Sequence, residues 1–287
     1  MFFIVGIVLL ALLYLTLSTS LPKYAGRVPF LALLFIIDWM IYSELKNNWT
    51  KSSQLLRCSF ALFWWAPIVL LFLFLTATAF YPLQQWNSWL RIYIPGFALI
   101  AFISKFFTFL GLIPVYFLRL IAWVRGIGRN LKISKFNRSI SFFRGAAIGI
   151  GMIVMVVLLM GSVFWVYDFK VQNVQVRIKE LPAAFENMRI VQLSDIHIGS
   201  WVSKRPLQRA VDEITALKPD LIVFTGDMVN YSSAEGQGFE QIFAQLHAPL
   251  GVYAILGNHD YGDYVAWGSK EEKDKNLADL VTFYQSI

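Results

Sequence analysis

Two stretches, Ser59–Phe80 and Gly145–Tyr167, run for 22 and 23 residues without a charged side chain. Runs of that length and apolarity cross a ~30 Å hydrocarbon core, and they do so as helices, because only a helix satisfies its own backbone groups in lipid. Met1–Leu21 is a third uncharged run. It reads as an uncleaved span; a cleaved signal peptide is the competing reading, but the run has no Lys or Arg at its start. Ile92–Leu118 is longer and holds Pro95, Gly96, Lys105, Gly111 and Pro114, which predicts a tilted or kinked span. Val28–Ser43 is short and contains Asp38. The reading is a helical membrane domain over residues 1–167, with five spans (1–21, 28–43, 59–80, 92–118 and 145–167) and four as the alternative. Residues 168–287 form a separate α/β domain.

Charge divides the chain at the same place. Residues 1–167 carry 14 Lys/Arg and two acids, Asp38 and Glu44; residues 168–287 carry 11 Lys/Arg and 16 acids, giving the net charge of +7. The basic balance therefore belongs to the membrane half and does not argue for nucleic acid. Residues 119–144 hold Arg119, Arg125, Arg129, Lys132, Lys135, Arg138 and Arg144 and no acid. Such loops stay cytoplasmic, so residues 168–287 are expected on the opposite face of a plasma (inner) membrane. Five spans put the N-terminus inside, with the 44–58 loop (Lys46, Lys51, Arg57) on the same side. A four-span chain with the opposite bias would leave the second half in the cytoplasm. The basic loop reads as a topology determinant against anionic lipid headgroups, with a site for a phosphorylated ligand as the sharper alternative. Asp38 and Lys105 fall within proposed spans, where a charge costs about 2.5–3.5 kcal/mol on insertion scales. Snorkelling or a helix interface would accommodate each, and no spacing argument pairs them. Cys58 is the one cysteine, which excludes an internal disulfide and a Cys-rich zinc site.

The second half alternates strand and helix patterns. Val171, Val174, Val176 and Ile178 suggest a lead-in strand within 168–181. Strands are predicted at 189–194, 220–225 and 251–256, with helices near 203–217, 238–247 and 276–286 between and after them. β-α-β-α-β with short connections implies a parallel sheet with right-handed crossovers. Apolar runs such as Ile222-Val223-Phe224 suit strands covered on both faces.

Each of the three strands ends in a polar cluster: Asp195-Ile196-His197, Gly226-Asp227 and Gly257-Asn258-His259-Asp260. Ligands at the carboxyl ends of neighbouring parallel strands can converge on one point. Carboxylates, an imidazole and an Asn carboxamide suit hard-to-borderline divalent metals. Strand alternation would put Asp195 and His197 on one strand end, able to grip one ion. Asp227 could bridge two ions, with Gly226 letting backbone and ligand approach. Asn258 offers a neutral oxygen, His259 a proton donor or a cation facing an oxyanion, and Asp260 a carboxylate to orient that imidazole. Taken singly, the first two clusters are also what a polar turn after a buried strand looks like. His247 has no motif around it, and Trp201 either packs on the following helix or touches substrate.

The stretch Gln192-Leu-Ser-Asp-Ile-His-Ile-Gly199, then Thr225-Gly-Asp227, then Leu256-Gly-Asn-His-Asp260 resembles the calcineurin-like metallophosphoesterase superfamily, in particular bacterial membrane-associated members. The resemblance covers roughly residues 170–287 and implies the first half of a calcineurin-like β-sandwich flanked by helices. It further implies a two-metal phosphoester hydrolase using Mn, Fe, Zn or Mg. Asp195 and His197 would hold the first ion, Asp227 would bridge, and Asn258 would hold the second. An activated hydroxide would attack phosphorus in line, with His259 stabilising charge or protonating the leaving group and Asp260 behind it. The family pattern continues with a further His and a Gly-His-x-His segment that do not follow here. The expectation is therefore an N-terminal portion of a longer protein, with little activity from these residues alone. The expected partners are membrane lipids and a phosphate-ester substrate, lipid-linked on grounds of location. The rival reading is a non-catalytic membrane protein whose incomplete phosphoesterase-like domain binds ligands.

Overall fold

The computed structural model describes residues 2–46, 53–126 and 137–287. Lys51, Arg129, Lys132 and Lys135 of the two basic loops lie outside the described residues. The chain divides into two compact units, Met1–Phe80 with Tyr93–Val166, and Tyr81–Ile92 with Tyr167–Ile287.

The first unit is helical: α1 (Phe2–Ser20), α2 (Pro22–Ala25), α3 (Arg27–Lys46), α4 (Gln54–Phe80), most of α5 (Ser88–Gly126) and α6 (Asn137–Met160), which continues through a π turn at Gly161–Trp165. Pro22 opens α2 where its missing N–H costs nothing. Among the described residues, four helical stretches are long and apolar enough to cross a membrane: Pro22–Lys46, Gln54–Phe80, Ser88–Val124 and Asn137–Trp165. The first apolar helix, Ile4–Ser20, is shorter, about 25 Å at 1.5 Å per residue. Small residues let α5 and α6 approach closely, as helices in lipid require. A Cβ on Gly111 would stand 2.8 Å from Ala147, and one on Gly151 only 1.9 Å from the Thr108 hydroxyl. The two intramembrane charges are partners. Lys105 Nζ donates to Asp38 Oδ2 at 2.8 Å and to the Trp64 carbonyl at 2.9 Å, and its ammonium lies 4.6 Å from the Trp64 ring centre. Glu44 is held likewise by Arg119 and Arg144.

The second unit is built on three parallel strands, β1 (Ile190–Leu193), β2 (Leu221–Phe224) and β3 (Val252–Ala254), in that order. The crossovers carry α7 (Lys204–Ala216) and the short α8 (Glu240–Phe243); α9 (Lys270–Gln285) follows. Ser203 caps α7 and Ser269 caps α9, each hydroxyl accepting a backbone N–H of the first turn. Leu207, Val211 and Ile214 of α7 pack with Ile222, Phe224, Phe243, Leu280 and Phe283 in one core.

Four expectations need correction. Residues 168–178 form no strand; their alternating valines are exposed, and among the described residues no ladder hydrogen bonds pair them. The sheet is covered by helices on one face only, with Ile190 and Tyr253 at 50% and 62% exposure. The 238–247 segment is α-helical only at 240–243, although Phe239, Ile242, Phe243 and Leu246 are all buried as its pattern required. The last helix begins at Lys270, six residues earlier than predicted, because the Ser269 cap and Glu272 accepting from Gly268 N–H start it there.

Tyr81–Ile92 folds with the second unit. Gln84 Nε2 donates to the Ala266 carbonyl at 2.9 Å. Asn87 caps α5 through the Trp89 N–H at 2.9 Å, which fixes the first turn that carries Arg91.

Candidate metal centre

All three polar clusters lie just past the carboxyl ends of their strands. The loop after β1 continues to pair with the loop after β2: Asp195 N–H donates to Gly226 O at 3.1 Å, and His197 N–H to Asp227 O at 3.0 Å. Neither Asp195 nor His197 is extended, so strand alternation does not place them. Asp195 (φ 55°), His197 (φ 47°) and Asp227 (φ 57°) are three of only six non-glycine residues with positive φ among those described. Such backbone costs of order 1–3 kcal/mol per residue and persists where the surroundings impose it. Three of the six thus fall at predicted ligands, and the other three, Glu180, Asn187 and Lys218, lie elsewhere.

Among the predicted His and Asp residues, the structure brings the donor atoms of three into one close group. One ligating atom each from His197, Asp227 and His259 lies within 4.8 Å of the others. His197 Nε2 stands 3.8 Å from Asp227 Oδ2, too far for a hydrogen bond. Ligands at about 2.1 Å from an ion are about 3–4 Å apart, so the spacing suits two donors of one cation. His197 Nδ1 is buried without a hydrogen-bond partner. The fit to a divalent metal rests on the donor set, imidazole Nε2 beside a carboxylate oxygen, and not on Nδ1, which is the other ring nitrogen. Asp227 Oδ1 accepts the His259 N–H at 2.9 Å, and a Cβ on Gly257 would sit 2.2 Å from that oxygen. Asp195 and Asn258 are exposed at the rim, and the Asp195 carboxylate is not in the close group. Asn258 Nδ2 donates to Tyr264 Oη at 2.7 Å, which leaves its Oδ1 free to act as a ligand.

Asp260 does not orient His259. It is fully buried and accepts backbone N–H bonds from Asp227 (3.0 Å), Met228 (2.9 Å), Val229 (3.3 Å) and Gly257 (2.9 Å), plus the Tyr284 hydroxyl at 3.1 Å. It shapes the β2 loop that carries Asp227. The group behind His259 is a carbonyl: Nδ1–H donates to Asn230 O at 2.9 Å, reserving Nε2 for the site. Tyr264 stacks on the imidazole at 4.2 Å and 19°, and His197 meets it edge-on at 4.7 Å.

Sequence reasoning missed Arg91, Asn230, Glu235, Tyr264 and Tyr284. Of these only Asn230, three residues past Asp227, and Tyr264, four past Asp260, lay close enough to a cluster to be noticed. Glu235 is 3% exposed at its side chain and pairs with Arg91 at 2.9 Å. Burial raises its carboxyl above the ordinary range, with the Arg91 guanidinium and the Asn230 and Tyr231 N–H groups pulling the other way. Burial likewise raises the Tyr231 hydroxyl against the pull of Arg91. The Tyr284 hydroxyl is raised by burial and then by the Asp260 charge.

Residues 188–286 match the family described as calcineurin-like phosphoesterase. Among curated proteins, UDP-2,3-diacylglucosamine pyrophosphatase LpxG of Chlamydia trachomatis is 41% identical over 85 residues, 29% of this chain and 26% of that one. A transmembrane protein with metallophosphoesterase domain from Danio rerio is 30% identical over 172 residues, 56% of this chain and 38% of that one. That alignment is longer than the phosphoesterase match and so reaches into the helical part. An uncharacterized metallophosphoesterase of Bacillus subtilis, YkuE, is 37% identical over 86 residues, 29% of this chain and 30% of that one. The matches thus take in about a quarter to two fifths of each relative's length. No solved structure matches. The parallel strands and the family match together place residues 188–286 in the calcineurin-like phosphoesterase superfamily.

Proposed function

We propose that this protein is a membrane-anchored, metal-dependent hydrolase of phosphate or diphosphate esters carried on lipids. The hydrolase reading is carried by the convergence of His197, Asp227 and His259 within 4.8 Å past three parallel strands. The lipid part is supported by the apolar helices and by the likeness to a pyrophosphatase named for UDP-2,3-diacylglucosamine.

His197 and Asp227, with Asp195 beside them, would hold one divalent ion; Asp227 and Asn258 Oδ1 would hold a second. Bound metal supplies Lewis-acid polarisation of the phosphoryl oxygens and lowers the pKa of water. The chain's own residues do the rest. Asp260 fixes the loop that presents Asp227. Asn230 O engages Nδ1 of the His259 ring, so that Nε2 would be the nitrogen left for the phosphate. There the imidazolium donates its proton to the leaving oxygen or faces charge on the phosphoryl group. Tyr264, flat against the ring, restricts its rotation.

The division that follows is a membrane domain over 1–167 and a phosphoesterase domain over 168–287, with the 81–92 segment folded onto the latter. Gln84 and Arg91 bond to Ala266 and Gly199, which supports putting 81–87 and 168–287 on one side of the bilayer. The basic 119–144 segment, which takes in the end of α5 and the start of α6, is then assigned to the cytoplasmic side. Counting α1 gives five crossings and a cytoplasmic N-terminus.

The test is turnover by the whole protein in lipid vesicles with Mn²⁺, comparing lipid diphosphates and monophosphates with soluble phosphodiesters. Chelator-sensitive hydrolysis that favours the lipid esters is expected. Preference for soluble esters defeats the lipid assignment, and absence of metal-dependent hydrolysis defeats the enzyme.

A further inference from the structure

We infer that Arg91, in the first turn of α5, is a positioning residue of the metal centre: it locks together the loops that carry His197 and orient His259. The inference rests on reading those residues as the centre. Arg91 is 7% exposed, and its guanidinium makes three contacts. Nη2 donates to the Gly199 carbonyl at 3.1 Å, Nη1 pairs with Glu235 Oε1 at 2.9 Å, and the guanidinium stands 5.4 Å over the Tyr231 ring. Gly199 lies two residues past His197. Glu235 Oε2 accepts the N–H of Asn230 at 2.6 Å and of Tyr231 at 3.4 Å. The Asn230 carbonyl in turn accepts Nδ1–H of His259, and its side-chain Nδ2 donates to Ser200 Oγ at 2.8 Å.

The two loops have no slack between them. A Cβ on Gly199 would fall 2.2 Å from Glu235 Oε2. Take away the guanidinium, and a carboxylate 3% exposed has lost its counter-charge. The 230–235 loop must then move to let water reach it, drawing the Asn230 carbonyl from His259. The planar fork of Arg serves two acceptors in fixed geometry, whereas Lys offers one compact charge. A residue 106 positions before His197 thus reaches the site by acting on its supports. Such outer supports change metal affinity by about 10- to 100-fold when lost.

The experiment compares wild type, Arg91→Met, Arg91→Lys, Glu235→Gln and the Arg91→Met/Glu235→Gln double variant, as whole protein in detergent. Two readouts are hydrogen–deuterium exchange of the metal-free protein over 196–201 and 228–235, and Mn²⁺ affinity by titration calorimetry. Arg91→Met should deprotect both loops without altering the core helices α7 and α9, and weaken Mn²⁺ binding about tenfold or more. Arg91→Lys should recover part of each. Glu235→Gln, which keeps an acceptor for Asn230 N–H without the charge, should soften the effect of Arg91→Met in the double variant. Turnover should fall in kcat with KM little changed. Unchanged exchange in both loops overturns the role of Arg91, whatever metal does. If Arg91→Met does not fold, Arg91→Lys and Glu235→Gln decide by the same exchange readout. Failure of wild type to bind Mn²⁺ would instead sink the metal centre, while the exchange data still judge Arg91.

Discussion

A Cβ placed on Gly226 would stand 2.5 Å from the backbone nitrogen of Gly257. The turns after β2 and β3 therefore touch backbone to backbone, and Gly226 also holds φ at 105°. Gly226→Ala has to strain its own dihedral and push the third cluster away. The expected loss is about 1–3 kcal/mol from the backbone alone, with weaker Mn²⁺ binding, read by chemical unfolding and calorimetry. Wild-type values for both would show that the contact is not needed.

Asp260→Asn should be costly for stability in a way that a second-row catalytic residue would not be. Its carboxylate accepts four backbone N–H groups and a hydroxyl; an amide nitrogen would point a donor at donors. A loss of about 2–4 kcal/mol is expected from unmet buried bonds, measured by denaturant midpoint. A fully stable but inactive variant would restore Asp260 to a role behind His259.

His259→Asn should lower turnover about 10²- to 10⁴-fold while leaving unfolding nearly unchanged, because the ring is only partly buried. Tyr264→Phe removes the acceptor of Asn258 Nδ2 and frees the amide to flip. If Asn258 is a ligand as proposed, the expected effect is a loss of about tenfold in Mn²⁺ affinity, read by titration calorimetry.

The pH dependence of stability should show Tyr284. Its hydroxyl is raised above the ordinary tyrosine value by burial and by the Asp260 charge, so the folded state holds that proton more tightly than the unfolded chain. The stabilisation is complete below the unfolded value of about 10 and declines as pH rises beyond it. Tyr284→Phe should flatten the decline above pH ~10 in a series of unfolding curves; an unchanged slope would assign the decline to other groups.

Impermeant thiol labelling checks the membrane arrangement. With Cys58 replaced, single cysteines at Gln84 and Lys170 should react from one side and a cysteine at Lys132 from the other. Opposite labelling of the first two would contradict the bonds that tie Gln84 and Arg91 to the phosphoesterase unit.

What the sequence made legible was local. Ile222-Val223-Phe224 and the Leu207, Val211, Ile214 stripe announce a buried strand and the helix that covers it, and each polar cluster follows an apolar run directly. The early start of α9 turned on a local cap, but the larger misreadings have their answer far along the chain. Val171 to Ile178 alternate like a strand, yet alternation names no partner, and among the described residues no backbone pairs there. Asp260 looks like an adjunct to His259 next door, but its hydrogen-bond donors begin 33 residues earlier. Asp38 and Lys105 are 67 residues apart and meet only because α3 and α5 bring them together. Glu235 sits in a polar loop that gave no reason to expect burial against an arginine from a membrane helix.

The clasp between Arg91 and Glu235 sets a practical limit on dissecting this molecule. A fragment trimmed to begin after the last apolar helix would discard the guanidinium and leave a buried carboxylate without its partner beside the loops that carry His197 and Asn230. Soluble pieces of this kind should then hold the 196–201 and 228–235 loops more loosely than the whole chain does.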